Sequence, residues 1–219
     1  MAPHKLHIVP NGADPSEWLA DSGPLPGPAG AALREMREAG KFIVGYAGTH
    51  GMANALDTLL QAAQLAADPK LAFVLVGGGP EKPAIERMAS QMRLDNVHFF
   101  DPVPKGEVPA LLRSFDLAYI GWQRQRLYRF GIAPNKLIDY MMAGRTILHS
   151  VDAGNDPVAD ARCGLTVPPQ DAQAVARGIL ALFMLEAAER EAAGARGRAY
   201  AMANLSYPVL GRQFLQACA

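Results

Sequence analysis

The chain has 219 residues, half of them hydrophobic, with 21 Lys+Arg balanced by 21 Asp+Glu. Neutral balance excludes a bulk nucleic-acid binder, which needs a basic footprint, and no apolar run approaches the ~20 residues of a transmembrane helix. Two cysteines, Cys163 and Cys218, exclude a disulfide framework and a four-thiolate zinc site, and a chain of this length buries about 70% of its surface in a real core.

Residues 1–5 lack the apolar core of a signal peptide, so the cytoplasm is the expected compartment. Residues 1–40 read as a connector: a short strand at His7-Ile8-Val9, a turn at Pro10-Asn11-Gly12, and a Pro/Gly stretch over 23–28 that resists helix and sheet. A lead-in helix over 31–39 follows. From Lys41 the pattern alternates. Apolar runs at 42–47, 71–76, 97–100, 117–120, 146–149 and 164–167 read as strands. Helical stretches fall between them at 53–67, 81–92, 107–113, 134–142 and 158–161, and helices dominate from Asp171 on.

Near-continuous apolar strands separated by amphipathic helices predict an α/β domain: a doubly wound parallel sheet covered on both faces, with a helical C-terminal tail. The expected division is 1–40 connector, 41–170 Rossmann-like domain and 171–219 helices packed on it. Ligands of such sheets sit outside the carboxyl ends of the strands, so chemistry is sought there. Gly48-Thr49-His50-Gly51 follows the first strand and Gly77-Gly78-Gly79-Pro80 the second. Each is either a plain turn or a place where backbone approaches an anion at a helix start. His50 is either a loop histidine or a donor to phosphate or sugar.

The segment 121–145 is the richest. Arg124, Arg126, Arg129, Lys136 and Arg145 stand there against one acid, Asp139. Such a cluster is either a solvated loop or an anion site. Pro134 opens a helix whose first amides are free, Asn135 and Lys136 add donors, and Asp139 lies one turn on. A carboxylate there suits paired sugar hydroxyls. There is no Asp-x-Asp and no His/Cys cluster, so neither metal nor cofactor is expected.

The order of these motifs resembles the carboxy-terminal half of family-four retaining glycosyltransferases of the GT-B fold. It rests on Pro10-Asn11-Gly12-Ala13-Asp14, Gly45-Tyr46-Ala47-Gly48, Val76-Gly77-Gly78-Gly79-Pro80, Phe115-Asp116-Leu117 and Pro134-Asn135-Lys136-Leu137-Ile138-Asp139-Tyr140. The last is similar to the version in bacterial cell-surface polysaccharide enzymes. The resemblance implies a Rossmann-like half that binds a UDP- or GDP-sugar donor. It sets Asp139 on the ribose, and Asn135, Lys136, Gly48, Thr49, His50, Gly51, Gly78, Arg126 and Arg129 are the further donor-binding candidates. The family's first glutamate falls on Gly131, and its first-loop Arg and Lys on Thr49 and Asn54, so Lys136 and the loop arginines are expected to compensate. The resemblance further implies an amino-terminal acceptor domain of the same protein, a full-length enzyme peripheral to the inner membrane face, and a 219-residue half that transfers nothing alone. Apolar positions Leu180, Phe183, Met184, Val209, Leu210, Phe214 and Leu215 are read as packing faces. Rival readings are a GT-B sugar-nucleotide epimerase half and a non-catalytic nucleotide-binding or interaction domain.

Overall fold

A computed structural model describes residues 7–19 and 23–218. The leader reading of residues 1–5 lies outside the described residues. A short helix α1 (Ser16–Leu19) and helix α2 (Gly27–Glu38) lead into β1 (Phe42–Ala47). There follow α3 (Leu56–Ala66), β2 (Leu71–Val76), α4 (Lys82–Gln91), β3 (Val97–Phe100), α5 (Val108–Arg113) and β4 (Leu117–Gly121). Then come α6 (Asn135–Met142), β5 (Thr146–Ser150), α7 (Pro157–Ala161), β6 (Gly164–Val167), α8 (Ala172–Phe183), α9 (Ala187–Asn204) and α10 (Tyr207–Cys218).

The six strands pair in the order β3-β2-β1-β4-β5-β6, every pairing parallel. This is the doubly wound sheet the pattern predicts. The chain reverses its winding between β1 and β4, and loops leaving those two strands diverge there, which opens a crevice at their carboxyl ends. Alternation along β1 sorts its side chains: Ile43 joins the core under α2, α5 and α6, whereas Phe42, Val44 and Tyr46 join the core under α3, α4 and α8. Gly45 leaves room for Phe115, whose ring atoms lie 2.1–2.4 Å from where a β-carbon would stand. At the amino end of the switch, Asp116 Oδ2 accepts from the Ile43 amide at 2.8 Å. Among the described residues no helix is long and apolar enough to cross a membrane.

Four expectations need correction. Residues 7–9 form no strand; Ile8 is 89% exposed, and the first bridge among the described residues is the isolated pairing of Ala13 with Ser206. The lead-in helix starts at Gly27, not at residue 31, because Pro28 occupies the first turn, where no amide donor is required. Arg145 does not join the basic loop: it precedes β5, at the opposite end of the strands, and donates to the Phe115 carbonyl at 3.2 Å. In the tail, Leu210 is buried, but Met184, Phe214 and Leu215 are exposed.

The loops after β1 and β2 meet backbone to backbone. The His50 amide donates to Gly78 O at 2.8 Å and the Glu81 amide to His50 O at 3.0 Å. Gly77 adopts φ +152°, and a β-carbon there would stand 1.9 Å from Gly48 O. Gly77→Ala therefore combines a left-handed strain with a backbone clash and is expected to destabilise the fold by about 2 kcal/mol or more. Urea unfolding measures this as a lowered midpoint at unchanged slope.

Candidate functional site

The crevice at the β1/β4 switch is a cavity of about 540 Å³, within the size range of small-molecule clefts. Its floor is Ala47, Gly48 and Thr49 after β1 and Val76 to Gly79 after β2; Lys136, Asp139 and Tyr140 of α6 form one wall. The remaining wall is apolar, from Pro102, Val103, Val108, Leu111 and Leu112.

Helix α6 is placed by its own tyrosine. The Tyr140 hydroxyl accepts from the Ala47 amide at 2.9 Å and donates to Ala47 O at 3.3 Å, tying the helix to the end of β1. Pro134 precedes the helix with no side-chain cap and its carbonyl takes only the Leu137 amide, at 3.1 Å, so among the described residues the Asn135 and Lys136 amides are left for another partner. Lys136 and Asp139, three residues apart, share one helical face and therefore one cavity.

Lys136 crosses beneath the first loop. Its Nζ donates to Tyr46 Oη and to Asn54 Oδ1, both at 2.8 Å, and lies 4.2 Å from the centre of the Tyr46 ring. Tyr46 Oη donates to Thr49 O at 2.6 Å and Asn54 Nδ2 to the same oxygen at 2.9 Å. The crossing requires Gly48: at φ +144°, a β-carbon there would stand 2.7 Å from Lys136 Cε. Burial brings the Lys136 ammonium down to about 7, since desolvation disfavours the charged form.

Asp139 behaves oppositely. Burial raises its carboxyl to about 6, helped by Glu17 and opposed by Lys105. Glu17 and Lys105 are themselves paired at 2.7 Å and line, with Trp18 and Asp139, a smaller adjoining cavity of about 250 Å³. No hydrogen bond to the Asp139 carboxylate is formed among the described residues, so its oxygens are available to a ligand.

The structure thus brings together five of the expected site residues: Gly48, Thr49, Gly78, Lys136 and Asp139. The other five stand off the cavity wall. Asn135 is exposed on the first turn of α6, and Gly51 opens a second cavity beside Met52 and Glu81. His50 turns inward, fully buried against Tyr46 and Phe99 with both ring nitrogens unpartnered. Burial, then Lys82 and Lys136, brings its imidazole down to about 4, so it stays neutral. Arg126 and Arg129 are exposed on the turn before α6. Tyr46, Asn54 and Tyr140 were not singled out in the sequence as site groups. Two of them sit inside apolar runs that read as core, and only the position of Asn54, where the resembling family has a lysine, signalled a role. Among the described residues no three His, Cys, Asp or Glu side chains gather as a metal site would need.

The sequence profile of the family described as "Glycosyl transferases group 1" matches residues 41–184. Among curated proteins, the Escherichia coli protein WcaI, named for glycosyl transfer in colanic acid biosynthesis, is 27% identical over 179 residues, 80% of this chain and 42% of its own. Among solved structures, Anabaena HepE in complex with UDP and glucose superposes with a TM-score of 0.77 at 16% identity, over 97% of this chain and 56% of that one. WaaG, a glycosyltransferase involved in lipopolysaccharide biosynthesis, superposes with a TM-score of 0.70 at 17% identity, over 99% and 56%. The chain spans about two fifths of the curated relative's length and a little over half of each solved one. These overlaps agree with the Rossmann-like half of a GT-B fold that the motif order implies.

Because the folded chain sheds the Lys136 proton near pH 7 and the unfolded chain holds it to about 10.5, the unfolded state binds more protons in between and stability should rise with pH there. Urea unfolding at pH 7 and pH 9.5 is expected to show that rise, and Lys136→Met to flatten it.

Proposed function

This chain belongs to the group 1 glycosyl transferases, and from that premise we propose that it is the donor-binding part of an enzyme that transfers a sugar from a UDP- or GDP-sugar to an acceptor. In this reading residues 41–170 form the nucleotide-sugar unit, 171–219 pack on it, and 1–40 connect it to an amino-terminal acceptor domain. The observation that carries the reading is that Lys136 and Asp139 line one cavity at the strand-order switch, a cation beside the glycine loops and a carboxylate deeper along the same helix.

The assignment of roles follows from charge and geometry. The diphosphate lies at the amino end of α6, where free amides and the helix dipole favour an anion. Lys136 supplies the cation that the first loop lacks, at Thr49 and Asn54. Asp139 accepts from the ribose hydroxyls, and the apolar wall of Val103, Val108 and Leu111 takes the flat base. During transfer the bond from the sugar's anomeric carbon to the diphosphate oxygen breaks, the acceptor oxygen bonds to that carbon with retention, and the acceptor's hydroxyl proton passes to the departing diphosphate. The chain's contribution is positioning and stabilisation of the negative charge that gathers on the departing diphosphate. In this reading residues 41–219 supply the donor site, and transfer needs the acceptor domain as well. The epimerase reading shares the donor site and is separated from this one by nucleotide diphosphate release on sugar transfer in the full-length enzyme.

Titration calorimetry of the 219-residue chain with UDP and GDP tests the site. Asp139→Asn forfeits charge-assisted hydrogen bonds of about 1.5–3 kcal/mol each, so at least tenfold weaker binding is expected. Lys136→Met should weaken binding by a similar factor, with circular dichroism confirming that the fold is kept. Unchanged affinity in both variants would remove α6 from the site. The pH dependence has a definite sign. Binding needs Asp139 ionised and Lys136 protonated, so affinity for UDP should peak between about pH 6 and 7. The acid-side fall should become shallower in Asp139→Asn, the remainder belonging to the terminal phosphate of UDP, which protonates near pH ~6, and the alkaline-side fall should vanish in Lys136→Met.

A further inference from the structure

The crevice does not end at Asp139. The adjoining cavity of about 250 Å³ shares Asp139 and Val108 with it and is lined further by Glu17, Trp18 and Lys105. Its edge is fixed by a rigid turn. Asp14 Oδ1 accepts from the Ser16 amide at 2.9 Å and from the Ser16 hydroxyl at 2.7 Å, and Trp18 is buried in the core. That turn sets Glu17 beside Lys105, whose Nζ donates to Glu17 Oε1 at 2.7 Å. Among the described residues Glu17 Oε2 takes no bond, and the indole Nε1–H of Trp18 is likewise unpartnered.

An exposed ion pair contributes little to stability, so strength does not explain why this one stands on a cavity wall. Its place along the crevice does. Glycine loops and Lys136 come first, Asp139 next, and the Glu17–Lys105 pair last. A nucleoside diphosphate has the same order of parts: diphosphate, ribose, base. With the ribose on Asp139 and the flat base against Val108, the polar edge of the base meets Lys105 and Glu17. The pair offers that edge a donor next to an acceptor with two oxygens.

We propose that Glu17 and Lys105 select guanine, which makes the donor a GDP-sugar rather than a UDP-sugar. Lys105 donates to the O6 carbonyl, and the two oxygens of Glu17 accept from N1–H and from the 2-amino group, three adjacent groups on one edge of the base. Uracil offers a single N–H between two carbonyls, so one of its oxygens would face the carboxylate with no proton between them. Adenine offers one amino donor beside a bare ring nitrogen and leaves a carboxylate oxygen unused. Reach acts in the same direction, since a two-ring base extends farther past Asp139 into the adjoining cavity than a one-ring base. A site that hydrogen-bonds a substrate group discriminates against the analogue lacking it. The inference rests on the donor reading of α6 and adds the identity of the base.

Titration calorimetry of the 219-residue chain with GDP, UDP and inosine diphosphate, which is GDP without the 2-amino group, tests it. GDP is expected to bind about tenfold tighter than UDP, as a paired contact to a base edge discriminates, with inosine diphosphate in between. Affinity ratios are the readout, because removing the Glu17 charge also eases ionisation of Asp139 and so moves every nucleotide together. Glu17→Gln should bring GDP and inosine diphosphate level. Lys105→Met should weaken both and keep their ratio, since both carry O6. Equal affinity for GDP and UDP, tighter binding of UDP, or a ratio of GDP to inosine diphosphate untouched by Glu17→Gln would overturn the inference. In those cases weaker binding of all three by Asp139→Asn leaves the donor site standing. If none of the three nucleotides binds, the donor reading falls and the choice of base falls with it.

Discussion

The site depends on one buried cation. Lys136 leaves α6, passes under the first loop, and ends on Tyr46 Oη and Asn54 Oδ1. Everything around it is arranged to let it through. Gly48 has no side chain because the lysine stem occupies that space, and Gly77 has none because the Gly48 carbonyl does. Tyr46 and Asn54 pass the contact on to a single acceptor, the carbonyl of Thr49. Two loops, one strand end and one helix are thereby locked in mutual position before any ligand arrives. Tyr140 fixes the same helix a turn later through Ala47.

This explains which parts were legible in the sequence. The runs 42–47, 71–76, 97–100 and 164–167 coincide with β1, β2, β3 and β6, because strands buried in a parallel sheet are continuous apolar segments with sharp polar ends. Boundaries drift where a residue plays against type. Pro28 inside α2 reads as a breaker but costs nothing at a helix start. His7-Ile8-Val9 has strand composition but pairs with no strand among the described residues. Arg145 is near the basic loop in sequence yet separated from it by the whole length of α6, a distance that charge counting along the chain does not see.

The site shows the same division. Gly48, Thr49, Gly78, Lys136 and Asp139 were legible because topology alone puts post-strand loops and the start of α6 at one crevice. Tyrosine hydroxyls inside β1 and α6 were not, since a tyrosine within an apolar run is indistinguishable from packing until its oxygen is seen to bond. His50 misled for the converse reason: a histidine in a glycine loop looks exposed, but its amide is pinned to Gly78 and the ring is folded under. Asn54 is the more instructive position. The resembling family carries a lysine there, and in this chain the Lys136 ammonium reaches Asn54 Oδ1 from the opposite wall. The loop position itself is uncharged in this chain, and the ammonium that touches it comes from α6.

The placement of Lys136 has an electrostatic consequence. A lysine on an exposed loop is fully charged; one that threads beneath a loop loses hydration and titrates near neutrality. Asp139, on the same face, is displaced in the opposite sense for the same reason. Each shift reports a charged form that the protein alone satisfies poorly. Mutual attraction does little to relieve either, since Lys136 is bonded to Tyr46 and Asn54, and Glu17 beside Asp139 adds to its burden. A ligand with an anionic end and a pair of hydroxyls relieves both at once, restoring the ammonium at one end and the carboxylate at the other. The free chain thus holds two groups in the ionisation range where a bound molecule has the greatest leverage, a pattern that ligand clefts share with structural ion-pair networks and that direct binding measurements separate.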